Sequence, residues 1–89
     1  MIITFSNDSW QKFSTTINEI NYDFTASYNS TYGFWTLNIE TDGFIINGIN
    51  LVCGIDIFRA FPELPFSGIC NNPEDPNRDN INLYELEIL

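Results

Sequence analysis

The sequence predicts an all-β fold, a small single-domain antiparallel β-barrel or sandwich of about six or seven strands with one short helical turn. Three observations lead there. Apolar and polar residues alternate through 20–28 and 35–40, at the period of two with which side chains of an extended chain change faces. Asp42-Gly43 stands between two apolar runs, and a glycine that accepts positive φ without a Cβ clash makes this pair a strong hairpin signal. Turn-forming residues punctuate the remaining short runs at regular intervals.

Taken in order, residues 1–5 (MIITF) form a short apolar stretch that suits an edge strand or an arm lying on a neighbour, and Ser6-Asn7-Asp8-Ser9 breaks it. A strand then runs from Trp10 to about Ile17, with Phe13, Thr15 and Ile17 on one face and Lys12, Ser14 and Thr16 on the other. Asn18-Glu19 is the expected hairpin tip. In the next strand Ile20, Tyr22, Phe24, Ala26 and Tyr28 alternate with Asn21, Asp23, Thr25 and Ser27, placing an aromatic-rich face on the core. Residues 29–33 close that hairpin as a loop of about five residues. Trp35, Leu37 and Ile39 face inward from the following strand, which makes Trp35 a candidate core anchor.

After the Asp42-Gly43 turn, Phe44, Ile45 and Ile46 are continuously apolar, the pattern of a strand covered on both faces. Gly48 marks an expected bulge and Gly54 an expected turn. Ile55, Phe58 and Phe61 fall at helical or 3₁₀ spacing, so one short helical turn is expected over residues 54–61, ended by Pro62. Pro62 and Pro65 force an extended connector, and Gly68-Ile69-Cys70 begins another short strand. The stretch 71–80, NNPEDPNRDN, has the composition of an exposed loop. A last strand is expected over 81–89, with Tyr84, Leu86 and Ile88 on one face and Glu85 and Glu87 on the other.

Bulk composition narrows the function classes. The 89 residues, 44% hydrophobic and 16% aromatic, suit one folded domain spanning residues 1–89 and not a disordered tail. Net charge is −9 with only three basic side chains, Lys12, Arg59 and Arg78, so the phosphate neutralisation that drives nucleic-acid binding is lacking. No apolar run approaches the roughly 18 residues of a membrane span, and the opening MIITFSNDSW has neither the basic start nor the apolar centre of a signal peptide. A soluble chain made in a cytoplasm, with no membrane insertion, is expected. The absence of histidine removes the commonest metal ligand and neutral-pH base. Cys53 and Cys70 are an even pair, readable as buried free thiols or as one disulfide.

Asp75-x-Asn77-x-Asp79 has the spacing that opens a calcium loop, but Asn80 stands where that loop needs glycine and Leu86 where it needs a bidentate glutamate. A solvated acidic loop is the expectation. Glu85 and Glu87 share a strand face and suit a charged edge or an acidic surface for a partner. Of the aromatic set Trp10, Tyr22, Tyr28, Tyr32, Phe34 and Trp35, most alternate into strands as core residues, whereas Tyr32 and Phe34 beside the 29–33 loop also suit sugar stacking. No base accompanies the serines and threonines in a recognisable motif. The expected protein is therefore not an enzyme and needs no cofactor or metal.

The order of motifs resembles the small baseplate plug proteins of tailed bacteriophages, a family typified by a cyanophage plug protein. The resemblance rests on the strands carrying Phe13, Tyr22 and Phe24, on YNSTYGFWTLNI (28–39), the Asp42-Gly43 turn, GINLVCGIDIF (48–58) and DPNRDNINLYELE (75–87). The chain departs from it in a compact proline connector over 61–66 and in lacking a glycine near Asn80. The resemblance implies a structural virion protein of the tail baseplate, packed with tube, hub or spike subunits in a symmetric multi-copy assembly. It would plug or organise the central channel after assembly in the host cytoplasm. A small non-catalytic ligand- or carbohydrate-binding β-module is the alternative. The apolar termini lack an obvious place in one small core, so Met1, Ile2, Ile3, Ile88 and Leu89, together with Asp75, Arg78 and Asp79 of the loop, are the expected partner contacts.

Overall fold

A computed structural model describes residues 1–89. Seven strands run in the order β1 (Ile2–Thr4), β2 (Trp10–Ile17), β3 (Ile20–Asn29), β4 (Phe34–Thr41), β5 (Phe44–Asn50), β6 (Gly68–Ile69) and β7 (Glu85–Ile88), with a 3₁₀ turn at Ile81–Leu83 before the last. They form two antiparallel sheets, a four-stranded meander β2-β3-β4-β5 and a three-stranded sheet β1-β7-β6. The arrangement is a sandwich and not a closed barrel, because both sheets keep free edges.

The meander follows from local chemistry. Ile17 pairs with Ile20 across a two-residue turn in which Asn18 and Glu19 both have positive φ, 52° and 69°, as the hairpin twist of a type I′ turn demands. Asn29 closes the next hairpin, its Oδ1 accepting from the amides of Thr31 and Tyr32. Gly43 turns the third at φ 102°. In β5 the register against β4 shifts between Leu37 and Ile39, and at this bulge the amide of Gly48 donates to Asn38 Oδ1 at 2.9 Å. Both the Asp42-Gly43 turn and the Gly48 bulge lie where the sequence places them.

Between the sheets lies one apolar cluster. Phe24, Leu37 and Ile39 of the meander and Leu86 of β7 are fully buried, as are Cys70 and Ile81. Aromatic contacts bind the layers: Phe5 packs on Phe13 and on Tyr84, and Tyr22 meets Phe66, which meets Phe58, at 5.3 Å between centroids in each of the latter contacts. The connector between β5 and β6 thus contributes core through Leu51, Ile57, Phe58, Leu64 and Phe66.

Six sequence expectations are corrected. Ile20, expected on the core face, is 46% exposed beside the hairpin tip. The proline connector is not extended but turns, the Leu64 amide donating to the Phe61 carbonyl at 3.0 Å. Residues 54–61 form no helix: turns at Asp56 and Phe58 follow one another without propagating, while Asp56 Oδ1 accepts from the amides of Phe58 and Gly68 and ties the segment to β6. The helical turn lies instead at Ile81–Leu83, which shortens the last strand to Glu85–Ile88. There Ile81 and Tyr84, three apart, both turn into the core, as 3₁₀ spacing allows. Ile45 is exposed, because β5 is an edge strand whose outer face nothing covers. Trp10 is 61% exposed; with Phe13 facing inward, strand alternation puts Trp10 on the outer face with Lys12 and Ser14.

Candidate functional site

The two chain ends meet. β1 pairs with β7 through Ile2 opposite Glu87, Ile3 opposite Leu86 and Thr4 opposite Glu85. The Ile88 amide donates to the Met1 carbonyl at 2.8 Å, and Leu89 exchanges backbone hydrogen bonds with Ser67. The alternation of this paired edge divides the residues expected to contact partners. Ile3 and Ile88 turn inward and are 6% and 7% exposed, so they have a place in the chain's own core, contrary to the expectation from their terminal position. Ile2 and Leu89 face outward, and together with Met1, whose Sδ lies 3.9 Å from Thr15 Oγ1, they are more than half exposed. Beside Ile2 a shallow cleft of about 270 Å³ is lined by Ile69, Asn71, Asn72, Pro73, Glu85 and Glu87. The two glutamates project from the outer face of β7 and make the cleft anionic.

The 71–80 loop is held in place by its own asparagines and by the core. Trp35 Nε1 donates to the Asn77 carbonyl at 2.9 Å. Asn77 Oδ1 accepts from the amides of Asp79 and Asn80, and Asp75 Oδ1 accepts from the amide of Cys53 at 2.8 Å. One oxygen each of Asp75 and Asn77, two of the three residues that would open a calcium loop, is thus engaged with backbone amides, and no three His, Cys, Asp or Glu residues are grouped to hold a metal ion. Asp75, Arg78 and Asp79 remain exposed, with the Arg78 guanidinium on the same loop as the two carboxylates.

Under this loop sits a thiol pair that the sequence could not place. Cys53 Sγ lies 3.2 Å from Cys70 Sγ and 3.1 Å from the Glu74 carbonyl, and Cys70 Sγ donates to Asn72 Oδ1. Both thiols are free. Burial first, then the hydrogen bond to Cys70 and the charges of Cys70 and Asp75, push the Cys53 thiol up to about 12. Tyr84, whose hydroxyl donates to the Val52 carbonyl at 3.0 Å, is pushed upward too, chiefly by burial. These groups stay protonated at neutral pH and supply neither a base nor a ready nucleophile.

The outer face of the meander is the remaining surface of note. Tyr32 is 77% exposed and stacks on Phe34 with centroids 6.1 Å apart. Phe34 starts the outward-facing set of β4, with Thr36 and Asn38. Tyr22, Tyr28 and Trp35 of the same aromatic set belong to the inner face.

The family model described as "Cyanophage baseplate Pam3 plug gp18" matches residues 1–88. No curated protein matches the chain.

Proposed function

The chain belongs to the cyanophage baseplate plug family, and on that premise we propose that it packs with tube and hub subunits at the centre of a tail baseplate and plugs or organises the channel there. The family is a structural one, and its baseplate setting places the chain among other tail proteins. The observation that carries the reading to particular residues is the paired terminal edge, where Met1, Ile2 and Leu89 expose apolar side chains although their neighbours Ile3 and Ile88 are buried. Exposed apolar side chains gathered on one edge favour burial against a neighbour. Elsewhere on the surface, the exposed Asp75, Arg78 and Asp79 of the 71–80 loop supply mixed charge, which selects register more than it adds affinity.

The formal charge of −9 supports a place beside a DNA passage. A polyanion slides past an acidic wall that offers it few cations to bind. Several copies around a symmetric channel would line it with such walls. Assembly in the host cytoplasm precedes incorporation in this reading.

Co-expression with the tube and hub subunits of its own phage tests the proposal. The expected result is co-purification of a stoichiometric complex and loss of infectious tails when the gene is removed. Normal tails assembled without this chain would overturn it. The alternative, a small carbohydrate-binding module, is favoured by the Tyr32–Phe34 stack alone, and glycan binding that Tyr32→Ala abolishes in a folded variant would raise it above the first.

A further inference from the structure

The geometry points to Cys53 and Cys70 as a disulfide-forming pair, open during assembly in a reducing cytoplasm and closed by a small-molecule disulfide oxidant once the particle is outside the cell. The sulfurs are 3.2 Å apart between residues separated by 17 positions. No displacement of strands is needed to bring them together. Cys53 follows the end of β5 and Cys70 follows β6, and the Gly54 amide already donates to the Cys70 carbonyl at 2.8 Å. The two backbones are therefore held side by side by a bond that does not involve sulfur.

The two thiols divide the work by exposure. Cys53 is partly exposed and Cys70 fully buried, so an oxidant RSSR meets Cys53 first. The Cys53 thiol loses its proton to solvent, and the thiolate attacks one sulfur of RSSR, forming a Cys53–S–S–R bond and releasing RS⁻, which takes up a proton. Cys70, deprotonated in turn, attacks the Cys53 sulfur and expels the second RSH. The balance is two protein thiols and RSSR giving one protein disulfide and two RSH. The high proton affinity of Cys53 makes the first attack slow at neutral pH, because the thiolate is the nucleophile. Premature closure inside a cell is thereby disfavoured twice, by the reducing surroundings and by the protonated thiol.

Closure would join the connector between β5 and β6 at its two ends. That connector carries Leu51, Ile57, Phe58, Leu64 and Phe66 into the core. A crosslink there limits the freedom of the unfolded chain and raises resistance to unfolding. Such a gain suits a particle that must survive outside the cell, a setting that rests on the baseplate reading above; the chemistry of the pair does not.

The test uses the purified full chain incubated with oxidised glutathione, followed by intact-mass analysis and thermal melting. We expect the mass to fall by two hydrogens with the protein still monomeric, a faster reaction at higher pH, and a melting temperature raised by on the order of 10 °C. Cys53→Ser, at the partly exposed position, should fold, gain no stability from the oxidant and show no such mass change. A persistent glutathione adduct on Cys53, a disulfide-linked dimer, or closure without any rise in melting temperature would overturn the proposal. Mass analysis of peptides from released virions then separates the two readings. A closed pair in the purified chain but open thiols in virions would reject closure outside the cell, while absence of the chain from virions would reject the baseplate role and leave the thiol chemistry standing.

Discussion

Trp35 Nε1 donates a hydrogen bond to the carbonyl of Asn77, 42 residues further along the chain, at 2.9 Å. The indole is 1% exposed and begins the inward-facing set of β4, so one residue both fills the core and fixes the acidic loop upon it. The loop's asparagines shape its turns; the tryptophan sets its position.

Two substitutions separate those roles. Trp35→Ala removes a buried large aromatic and should cost on the order of 3–5 kcal/mol. Trp35→Phe keeps most of the apolar bulk but leaves the Asn77 carbonyl unpaired, for about 1–3 kcal/mol. Urea unfolding gives both values. Amide exchange of Trp35→Phe should accelerate in residues 75–80 before it does in β4; uniform acceleration throughout would show that the hydrogen bond does not position the loop.

The hairpin at Asn18-Glu19 is under strain that can be relieved. Asparagine tolerates positive φ through its short polar side chain, whereas glutamate at φ 69° carries the Cβ penalty of about 1–2 kcal/mol. Glu19→Gly should raise stability by about 1 kcal/mol, the relief outweighing the extra freedom of the unfolded glycine. Asn18→Gly should change it by less. A higher urea midpoint for Glu19→Gly alone would confirm that the strain sits at the second turn position.

Gly68 serves close approach and not turning. A Cβ at this position would stand 2.5 Å from Phe58 Cε2 and 3.3 Å from Leu86 Cδ1, inside a packed core. Gly68→Ala should therefore destabilise by about 1–3 kcal/mol through overpacking. The paired change Gly68→Ala with Phe58→Leu should recover part of the loss, because the clash is with the ring. Thermal melting of the single and double variants checks it.

The reduced protein should lose stability in alkali. Cys53 is held protonated up to about 12 against an ordinary 9.0, and Tyr84 is displaced in the same direction. Between those values the unfolded chain releases the Cys53 proton while the folded chain keeps it. Unfolding is then favoured progressively as pH rises above about 9. The contribution is fully present below that pH. Urea midpoints in reductant should be flat from neutrality to about pH 8 and fall above 9, and Cys53→Ser should flatten the first part of the fall. An unchanged profile in Cys53→Ser would place the alkaline loss elsewhere.

The meander was legible because each of its strands is half-buried and so carries its own face pattern. Tyr22, Phe24 and Ala26, and likewise Trp35, Leu37 and Ile39, could be assigned inward without knowing any partner strand. Residues 51–83 were less so. Their core side chains come from turns, where no period applies, and the 3₁₀ turn at Ile81–Leu83 forms because Ile81 and Tyr84 both find burial. Trp10 and Ile45 look like core by type; alternation against Phe13 puts Trp10 outside, whereas Ile45, in a continuous apolar run, is shown outside only by its sheet position. The nearness of Cys53 to Cys70 depends on how residues 54–57, after β5, are laid alongside β6, which no local pattern encodes. At the termini, burial of Ile3 beside exposed Ile2 emerges only from the β1–β7 register.

That register also decides how the proposed contact edge can be tested. Deleting residues 1–3 would remove β1, its pairing with β7 and the buried Ile3, so a failed assembly would report lost folding as readily as a lost contact. Ile2→Glu changes only an outward side chain and should leave the melting temperature of the isolated protein within a few degrees, since surface substitutions usually shift stability by about 0.5 kcal/mol or less. Its incorporation into tails should nevertheless fall, because a new charge must be desolvated where an apolar side chain was to be buried. Arg78→Glu, on the exposed loop, should do likewise by replacing one of the three basic side chains of the protein with an acid. Substitutions at Asp23, Thr25 and Ser27, on the outward face of β3, should incorporate normally. Quantifying the protein in purified tails against a tube-subunit standard reads all of these outcomes, and normal incorporation of Ile2→Glu and Arg78→Glu together with a block from the β3 set would move the interface to the open face of the meander.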